Sequence, residues 1–468
     1  MHQIVRIVYK GLRPNYRHRR EFRISGGINK RGIRSFTLSG GSRMKKRNDK
    51  LTSGEMTRRQ FMDKAIRMGI AAVATSSFAE TREISARASS VSEFVHIQGE
   101  GFTLNGNPFR NIGANIPDLF VRFLHDDDKA VSQVVENAAS VGVRVVRCFG
   151  STWGWDDFQI FDNDRKRWIA AYDRMIRVVR DAGIRLVPSL LFNLEMIPRY
   201  LQKYKNMPDE QVVNLLTPGS PSNRLASEYV ATIVERYADN PGVFMWEIGN
   251  EYNLSADLSA QWKERPANQI PTSDNIRAFL QQIAALIRKN DSRHPITSGN
   301  GNMRTYAWHI RQGMLAHQKD ANPFDYPMDW SKDTLTEYYE MIKWFDPSPL
   351  DVVCVHDYPP GKDVYAWLNV DDTHDLILPY ARKAADRLRQ PLFVGEFGGV
   401  IYQNGAEVTS PFIQDILKQI REGVVPIALI WAWEFANGDP NQNTFSLSLD
   451  RTPRLCAQIK ETNKALES

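Results

Sequence analysis

Cysteine is scarce in this chain. Three occur in 468 residues, an odd number that cannot form a disulfide framework. No run of about 18 apolar residues exists, which excludes an ordinary membrane-spanning helix. The nine histidines are scattered. None stands in a His-x-x-x-His spacing and no Cys-x-x-Cys occurs, so no metal site is expected. A Gly-x-Ser-x-Gly nucleophile turn is absent. The first apolar run of the body reads into Asn115-Ile116-Pro117-Asp118, with no glycine-rich phosphate loop. No cofactor is implied. What remains is ordinary globular composition, 42% hydrophobic and 24% charged, which excludes collagen-like, coiled-coil and wholly disordered chains.

The net charge of +6 conceals two opposite halves. Residues 1–55 carry 15 Lys+Arg against 3 Asp+Glu, whereas residues 91–468 carry 39 against 48. The basicity therefore belongs to the leader, and the mildly acidic body disfavours a nucleic-acid partner. Residues 1–55 lack apolar periodicity and are expected to be disordered. Thr57-Arg58-Arg59-Gln60-Phe61-Met62 then precedes a weak Ala- and Gly-rich apolar run, and Ala86-Arg87-Ala88 offers a small-x-small cleavage site. Residues 56–88 thus resemble a twin-arginine export signal. They imply the twin-arginine machinery as a partner, a mature protein beginning near Ser89, and a periplasmic or secreted location. Met44 and Met56 are alternative start residues. Twin-arginine cargo crosses the membrane folded, which suits a fold without disulfides.

From Phe94 the pattern is globular. Two strand-like runs flank Asn105-Gly106, a hairpin signal. Eight Val-, Ile- and Leu-rich runs follow, at 111–116, 143–150, 184–193, 243–251, 295–300, 351–358, 391–398 and 424–435. Several are almost continuously apolar, as strands buried on both faces require. Amphipathic stretches at 168–181, 276–287 and 413–420 lie between them. In the first, Ile169, Tyr172, Met175, Ile176 and Val179 share one helical face, and Gly183 ends it. Strands alternating with helices imply parallel βαβ units. Eight such units imply a closed (β/α)8 barrel with a short N-terminal hairpin, spanning residues 91–468. A doubly wound sheet is the alternative. Cys148 and Cys354 fall on runs across the barrel and are expected to remain thiols. The connections after the fourth and fifth runs are long, and loops beyond about 15 residues are usually functional.

Polar groups cluster at the C-terminal ends of the runs, where a barrel enzyme places its catalysts. The fourth ends in Glu247-Ile248-Gly249-Asn250-Glu251 and the seventh in Gly395-Glu396-Phe397. The sixth ends in His356-Asp357-Tyr358, the second carries Arg147, and the eighth carries Trp431-Ala432-Trp433. This ordered set resembles the retaining glycoside hydrolases of family 5, over roughly Phe94 to the C-terminus. The resemblance implies cleavage of a β-linked polysaccharide or oligosaccharide, a β-mannan or β-glucan, by a monomer. It makes Glu251 the acid/base and Glu396 the nucleophile. Such chemistry needs one protonated and one ionised carboxyl, because the leaving oxygen takes a proton while the anomeric carbon is attacked. Arg147 then fits as the cation beside Glu396, Tyr358 as a hydroxyl donor to it, and Asn250 as a partner of the sugar 2-hydroxyl. His356 lines the same strand face as Tyr358. Trp431 and Trp433, two apart, are expected to share a face; a tryptophan there suits a sugar platform, the alternative for either of the two being a ring that only fills the barrel. Glu247 is expected to point deeper into the barrel as a structural carboxylate. Asn250 and Glu251 are adjacent, so both serve the site only where the strand end is irregular, as a bulge allows.

Two departures from familiar members stand out. The third run ends in Leu191-Phe192-Asn193-Leu194-Glu195, without the histidine many cellulases carry there, and Tyr252-Asn253 rather than proline follows Glu251. Arg144–Phe149 and the opening 102–108 look more like the endo-β-mannanase branch. The alternatives are a catalytically inactive barrel that binds polysaccharide and a clan member acting as an exo-glycosidase or transglycosylase. Trp153, Trp155, Trp308 and Trp330 are further candidates for sugar contact.

Overall fold

A computed structural model describes residues 94–152, 154–263, 265–317, 323–359, 364–368, 377–435 and 444–467. The disorder, export-signal and start-residue expectations for the leader, and Trp153, lie outside the described residues.

The first three strands form a small antiparallel sheet: β1 (His96–Gln98), β2 (Gly101–Leu104) and β3 (Asn107–Pro108). Asn105 and Gly106 both have positive φ, 55° and 78°, as the two-residue turn predicted from their identity demands. The eight barrel strands are β4 (Asn111–Asn115), β5 (Val145–Phe149), β6 (Arg185–Ser189), β7 (Trp246–Glu247), β8 (Ile296–Thr297), β9 (Val353–Asp357), β10 (Leu392–Phe397) and β13 (Ile427–Ile430). A hairpin of β11 (Tyr402–Gln403) and β12 (Ala406–Glu407) stands between the last two. All eight predicted runs contain a strand.

The eight strands pair in parallel, in the order β8-β7-β6-β5-β4-β13-β10-β9. A single parallel bridge, Thr297 with Val352, joins the two ends and closes the ring. Side chains reinforce this seam. Ile296 N–H donates to Asp351 Oδ2 at 2.8 Å, and Asp351 N–H returns a bond to Ile296 O at 2.9 Å. The Thr297 hydroxyl donates to Val352 O at 3.1 Å.

Two apolar layers follow from the alternation of side chains along the strands. The inner one gathers Val145, Val187, Phe244, Cys354, Phe393 and Ile427, with Phe102 and Phe109 of the N-terminal sheet against them. Phe102 meets Phe244 edge-on at 5.1 Å, so the small sheet plugs the end of the barrel at which the strands begin. The outer layer lies between strands and helices. The helix Arg165–Asp181 shows why: Trp168, Tyr172, Met175, Ile176 and Val179 are buried, Asp164 accepts from Arg167 N–H at its start, and Gly183 has φ 75° beyond its end. Cys148 faces this outer layer, 4.0 Å from Met175 Sδ, while Cys354 faces the inner one. All three cysteines are buried and free, as expected.

The long fourth and fifth connections carry structure of their own. The fourth holds three short 3-10 turns from Tyr252–Ser255 to Ala267–Gln269, and the fifth holds the helix Ala307–Ala316. Among the described residues, no helix is long and apolar enough to cross a membrane.

Candidate active site

The fourth strand leaves the regular ladder after Glu247. Residues 248–251 still follow the neighbouring chain: Ile248, Gly249 and Glu251 N–H donate to Thr297, Ser298 and Gly299 O. Glu251 itself is left-handed, φ 52° and ψ 35°. That twist replaces the expected bulge and lets Asn250 and Glu251 serve one site. A non-glycine residue in this region costs roughly 1–2 kcal/mol, and the bond to Gly299 O, 2.8 Å long, holds it there. Gly299 has φ 75°, and a methyl on it would stand 1.9 Å from Gly249 O, so only glycine fits.

The bulge lies instead in the seventh strand. Pairing of β10 with β9 slips between Val394 and Glu396. The extra residue is Gly395, where a methyl would meet His356 Nε2 at 2.8 Å and Cys354 Sγ at 3.1 Å. A bulge re-aims the next side chain, and here that side chain is Glu396.

Arg147 is fully buried and organises the floor. Its Nε donates to both Glu247 oxygens, at 2.9 and 2.8 Å. One terminal nitrogen donates to Glu396 Oε1 at 2.7 Å and Asn115 Oδ1 at 3.0 Å, the other to Asn250 Oδ1 at 2.6 Å. Burial acts to lower the pKa of Arg147, but Glu247 and then Glu396 outweigh it, so the pKa is raised and the group stays a cation. The second oxygen of Glu396 accepts from the Tyr358 hydroxyl at 2.7 Å. Burial, and then Glu396, push the Tyr358 phenol well above its usual pKa, which keeps it a donor.

Glu251 faces this group from the opposite wall. His356 Nδ1 stands 3.1 Å from Glu251 Oε1 and 3.7 Å from Glu396 Oε1. One oxygen from each glutamate and one His356 nitrogen all lie within 4.8 Å of one another. Three such atoms form a conceivable metal set. Glu396, however, already gives both oxygens to Arg147 and Tyr358, and the buried guanidinium repels a second cation. His309, Asp333 and Glu337 form another such set. There Asp333 is engaged by Trp308 N–H at 2.9 Å and His309 Nδ1 at 2.9 Å, at the start of the helix Ala307–Ala316.

A carboxyl pair this close, one member between two donors and the other facing a ring nitrogen, suits displacement at an acetal carbon. The family model described as Cellulase (glycosyl hydrolase family 5) matches residues 127–437. The chain belongs to glycoside hydrolase family 5. A mannan endo-1,4-beta-mannosidase 2 of Oryza sativa subsp. japonica is 24% identical over 403 residues, covering 79% of this chain and 83% of the relative. A mannan endo-1,4-beta-mannosidase 5 of Solanum lycopersicum is 22% identical over 411 residues, covering 80% and 89%. The endo-1,4-beta-mannanase of Rhizomucor miehei superposes with a TM-score of 0.55 at 18% identity, over 80% of this chain and 99% of that one. The barrel fold is thus shared, and the protein is a glycoside hydrolase.

Within this family 5 site, the structure brings together Arg147, Asn250, Glu251, His356, Tyr358 and Glu396, all singled out from sequence. Glu247 is buried under Arg147 as the structural carboxylate expected. Trp431 stands half-buried beside Phe149 and Phe435, with ring centroids at 6.3 and 6.0 Å. Trp433 overturns the expectation of a shared platform. It is fully buried in the outer layer, with its indole N–H on Val134 O at 3.2 Å. The reason is that β13 ends at Ile430, so the two-residue alternation no longer applies at 433.

Asn115 was not anticipated. It accepts from Arg147 and donates to Gly395 O at 3.0 Å, tying the first strand to the bulge of the seventh. Its only signal was a polar residue inside an apolar run. Both family departures have local accounts. Phe192 takes the space at the third strand end and packs on Phe149, centroids 3.5 Å apart. Asn253 exchanges two bonds with Gly301, 2.8 and 3.0 Å long, which fastens the fourth connection to the fifth.

Proposed function

We propose that the protein is a retaining endo-β-mannanase in which Glu396 is the nucleophile and Glu251 the acid/base. The spacing of the two carboxyl groups carries this reading. Retaining enzymes hold the groups about 5–5.5 Å apart and inverting ones roughly 6.5–9.5 Å, with room for a water between; here the two approach until one oxygen of each lies within 4.8 Å of the other, which supports the retaining arrangement. The roles follow from the partners. Glu396 meets a guanidinium and a phenol, both donors, which favour the ionised form that attacks. Glu251 meets His356, and its side chain is 21% exposed against 7% for Glu396, so leaving group and water can reach it.

In the first step Glu251 gives its proton to the glycosidic oxygen, the bond from that oxygen to the anomeric carbon breaks, and Glu396 bonds to the carbon as the leaving sugar departs with its new hydroxyl. Glu251 then takes a proton from water, which attacks that carbon and releases Glu396. Asn250, held by Arg147, faces the sugar 2-hydroxyl, and Trp431 receives the sugar's C–H face. The mannan preference rests on the relatives named above. A panel of β-mannan, β-glucan and xylan oligosaccharides with product sizing tests it. Internal cleavage of β-mannan is expected. Release of single sugars from one end would favour the exo-glycosidase reading.

The twin-arginine signal read from Arg58 and Arg59 completes the proposal: the enzyme acts on its polysaccharide outside the cytoplasm as a monomer. Mass determination of the exported form should give a start near Ser89, and a cytoplasmic product retaining Arg58 would count against it.

A further inference from the structure

We propose that Trp330 and Tyr306 form a binding platform for the leaving-group side of a β-linked glycan chain. This rests on the acid/base role given to Glu251. Whichever sugar departs must pass beside the residue that protonates its oxygen, so the leaving-group side of the cleft starts at Glu251. The fifth connection starts there too. A methyl on Gly301 would stand 3.2 Å from Glu251 Oε1. Tyr306 is five residues further, within roughly 18 Å of chain at full extension.

Trp330 is 50% exposed, the highest value among the exposed large hydrophobic side chains of the described residues. A single exposed aromatic is ordinary on a protein surface. This one is braced without being covered. Its ring meets that of half-buried Tyr306 at 5.0 Å and 70°. Three residues on, Asp333 N–H donates to Thr305 O at 2.7 Å, and the Asp333 carboxylate accepts from Trp308 N–H at 2.9 Å. Thr305 precedes Tyr306 and Asp333 follows Trp330 by three residues, so these bonds tie together the two segments that carry the rings. The sixth connection adds support: the Tyr365 hydroxyl donates to Met303 O at 2.9 Å, and Trp367 Nε1–H donates to Asp333 O at 3.0 Å. Neighbouring aromatics Tyr338, Tyr365 and Trp367 pack on one another, whereas Trp330 stays half exposed.

An exposed flat ring on a connection that follows a barrel strand, the side on which barrels build their sites, suits the C–H face of a pyranose, and its bracing keeps the ordering cost low. Trp431, one residue past the end of the eighth strand, serves the opposite side. The two platforms together describe a cleft that grips chain on both sides of the bond being cut.

The test is hydrolysis of β-1,4-mannohexaose and β-1,4-mannotriose in H2(18)O, with mass spectrometry assigning the cleaved bond from the labelled new end. In Trp330→Ala, hexaose cleavage should shift towards the reducing end, leaving fewer sugars on the departing side. The hexaose-to-triose ratio of kcat/KM should fall roughly five- to tenfold. Trp330→Phe, which keeps a flat ring, should retain most of both, and Trp330→Gln reads the same loss where the alanine variant is poorly soluble. An unchanged bond pattern and ratio in Trp330→Ala would overturn the platform alone. Wild-type protein that leaves mannohexaose intact would overturn the proposed activity, and the platform with it.

Discussion

Glu396 has both oxygens occupied, one by Arg147 and one by Tyr358, whereas among the described residues Glu251 leans on His356 Nδ1 alone. That asymmetry predicts different losses on truncation. Glu396→Ala should abolish turnover, and azide should restore it as a glycosyl azide of inverted configuration, because the small anion fits the vacated position. Glu251→Ala should lose least activity on dinitrophenyl glycosides, whose leaving group needs no proton in the first step, the remaining loss being that of the base in the second. Proton NMR showing an inverted first-formed anomer would mean direct attack by water and would refute the nucleophile role of Glu396. A second residue-scale prediction concerns stability. Asp291 accepts from Trp246 Nε1 at 2.7 Å and contacts His294 Nδ1 at 2.5 Å. Burial acts to raise its pKa, but His294, Trp246 and the Arg293 amide outweigh it and push it down to about 2. A depressed carboxylate stabilises the fold above its unfolded pKa, near 4, and loses that contribution as pH falls through its folded value. The stability gap between wild type and Asp291→Asn should therefore be full at pH 5, on the order of 2 kcal/mol, and shrink towards pH 2. Denaturant titrations at several pH values give the answer, and a gap independent of pH would refute the account.

At the scale of elements, the ends of strands decide the chemistry. Gly299 is the tightest point, with φ 75° and a methyl-to-Gly249 O approach of 1.9 Å. Gly299→Ala should push the chain away from residues 249–251 and displace Glu251. A shift near 1 Å costs on the order of a hundredfold in rate, readable as kcat on a soluble oligosaccharide. Wild-type kcat in a folded Gly299→Ala protein would show that this contact does not set the acid/base. Sequence revealed the barrel because parallel strands buried on both faces are written as unbroken apolar runs, and because their polar ends stand out against them. Glu251, Glu396, Arg147 and Tyr358 were legible for that reason. Periodicity failed where the strands stop being regular. Trp433 lies beyond Ile430, the end of its strand, and turned to the outer layer. The Gly395 bulge and the left-handed Glu251 depend on pairing with neighbouring strands, which no local pattern encodes. Asn115 was hidden because its partners are distant in the chain.

Across the whole molecule, the ladder is uneven. β5 and β6 pair over five registered positions, from Val145 with Arg185 to Phe149 with Ser189. β8 and the strand before Asp357 share one bridge and the side-chain bonds of Asp351 and Thr297. Burial raises the Asp351 pKa despite Arg288 beside it, so a carboxyl holding the ring shut is one that water would rather solvate. Stability in a protein is not uniform, and stretches with few ladder bonds open first. The barrel is thus a cylinder with a hinge side and a lock side, the lock between its fifth and sixth strands. The amides of Ile296 and Thr297 and those at 351–353 should take up deuterium before those at 145–149, 185–187 and 189, and mildly acidic solution should narrow the difference, because the closed state binds the Asp351 proton more tightly than the open one. Equal protection around the ring would mean that it opens only as a whole. A lock on that side places the first local opening beneath the fifth and sixth connections, so a long polymer pulling on Trp330 would load the barrel where its backbone is least fastened.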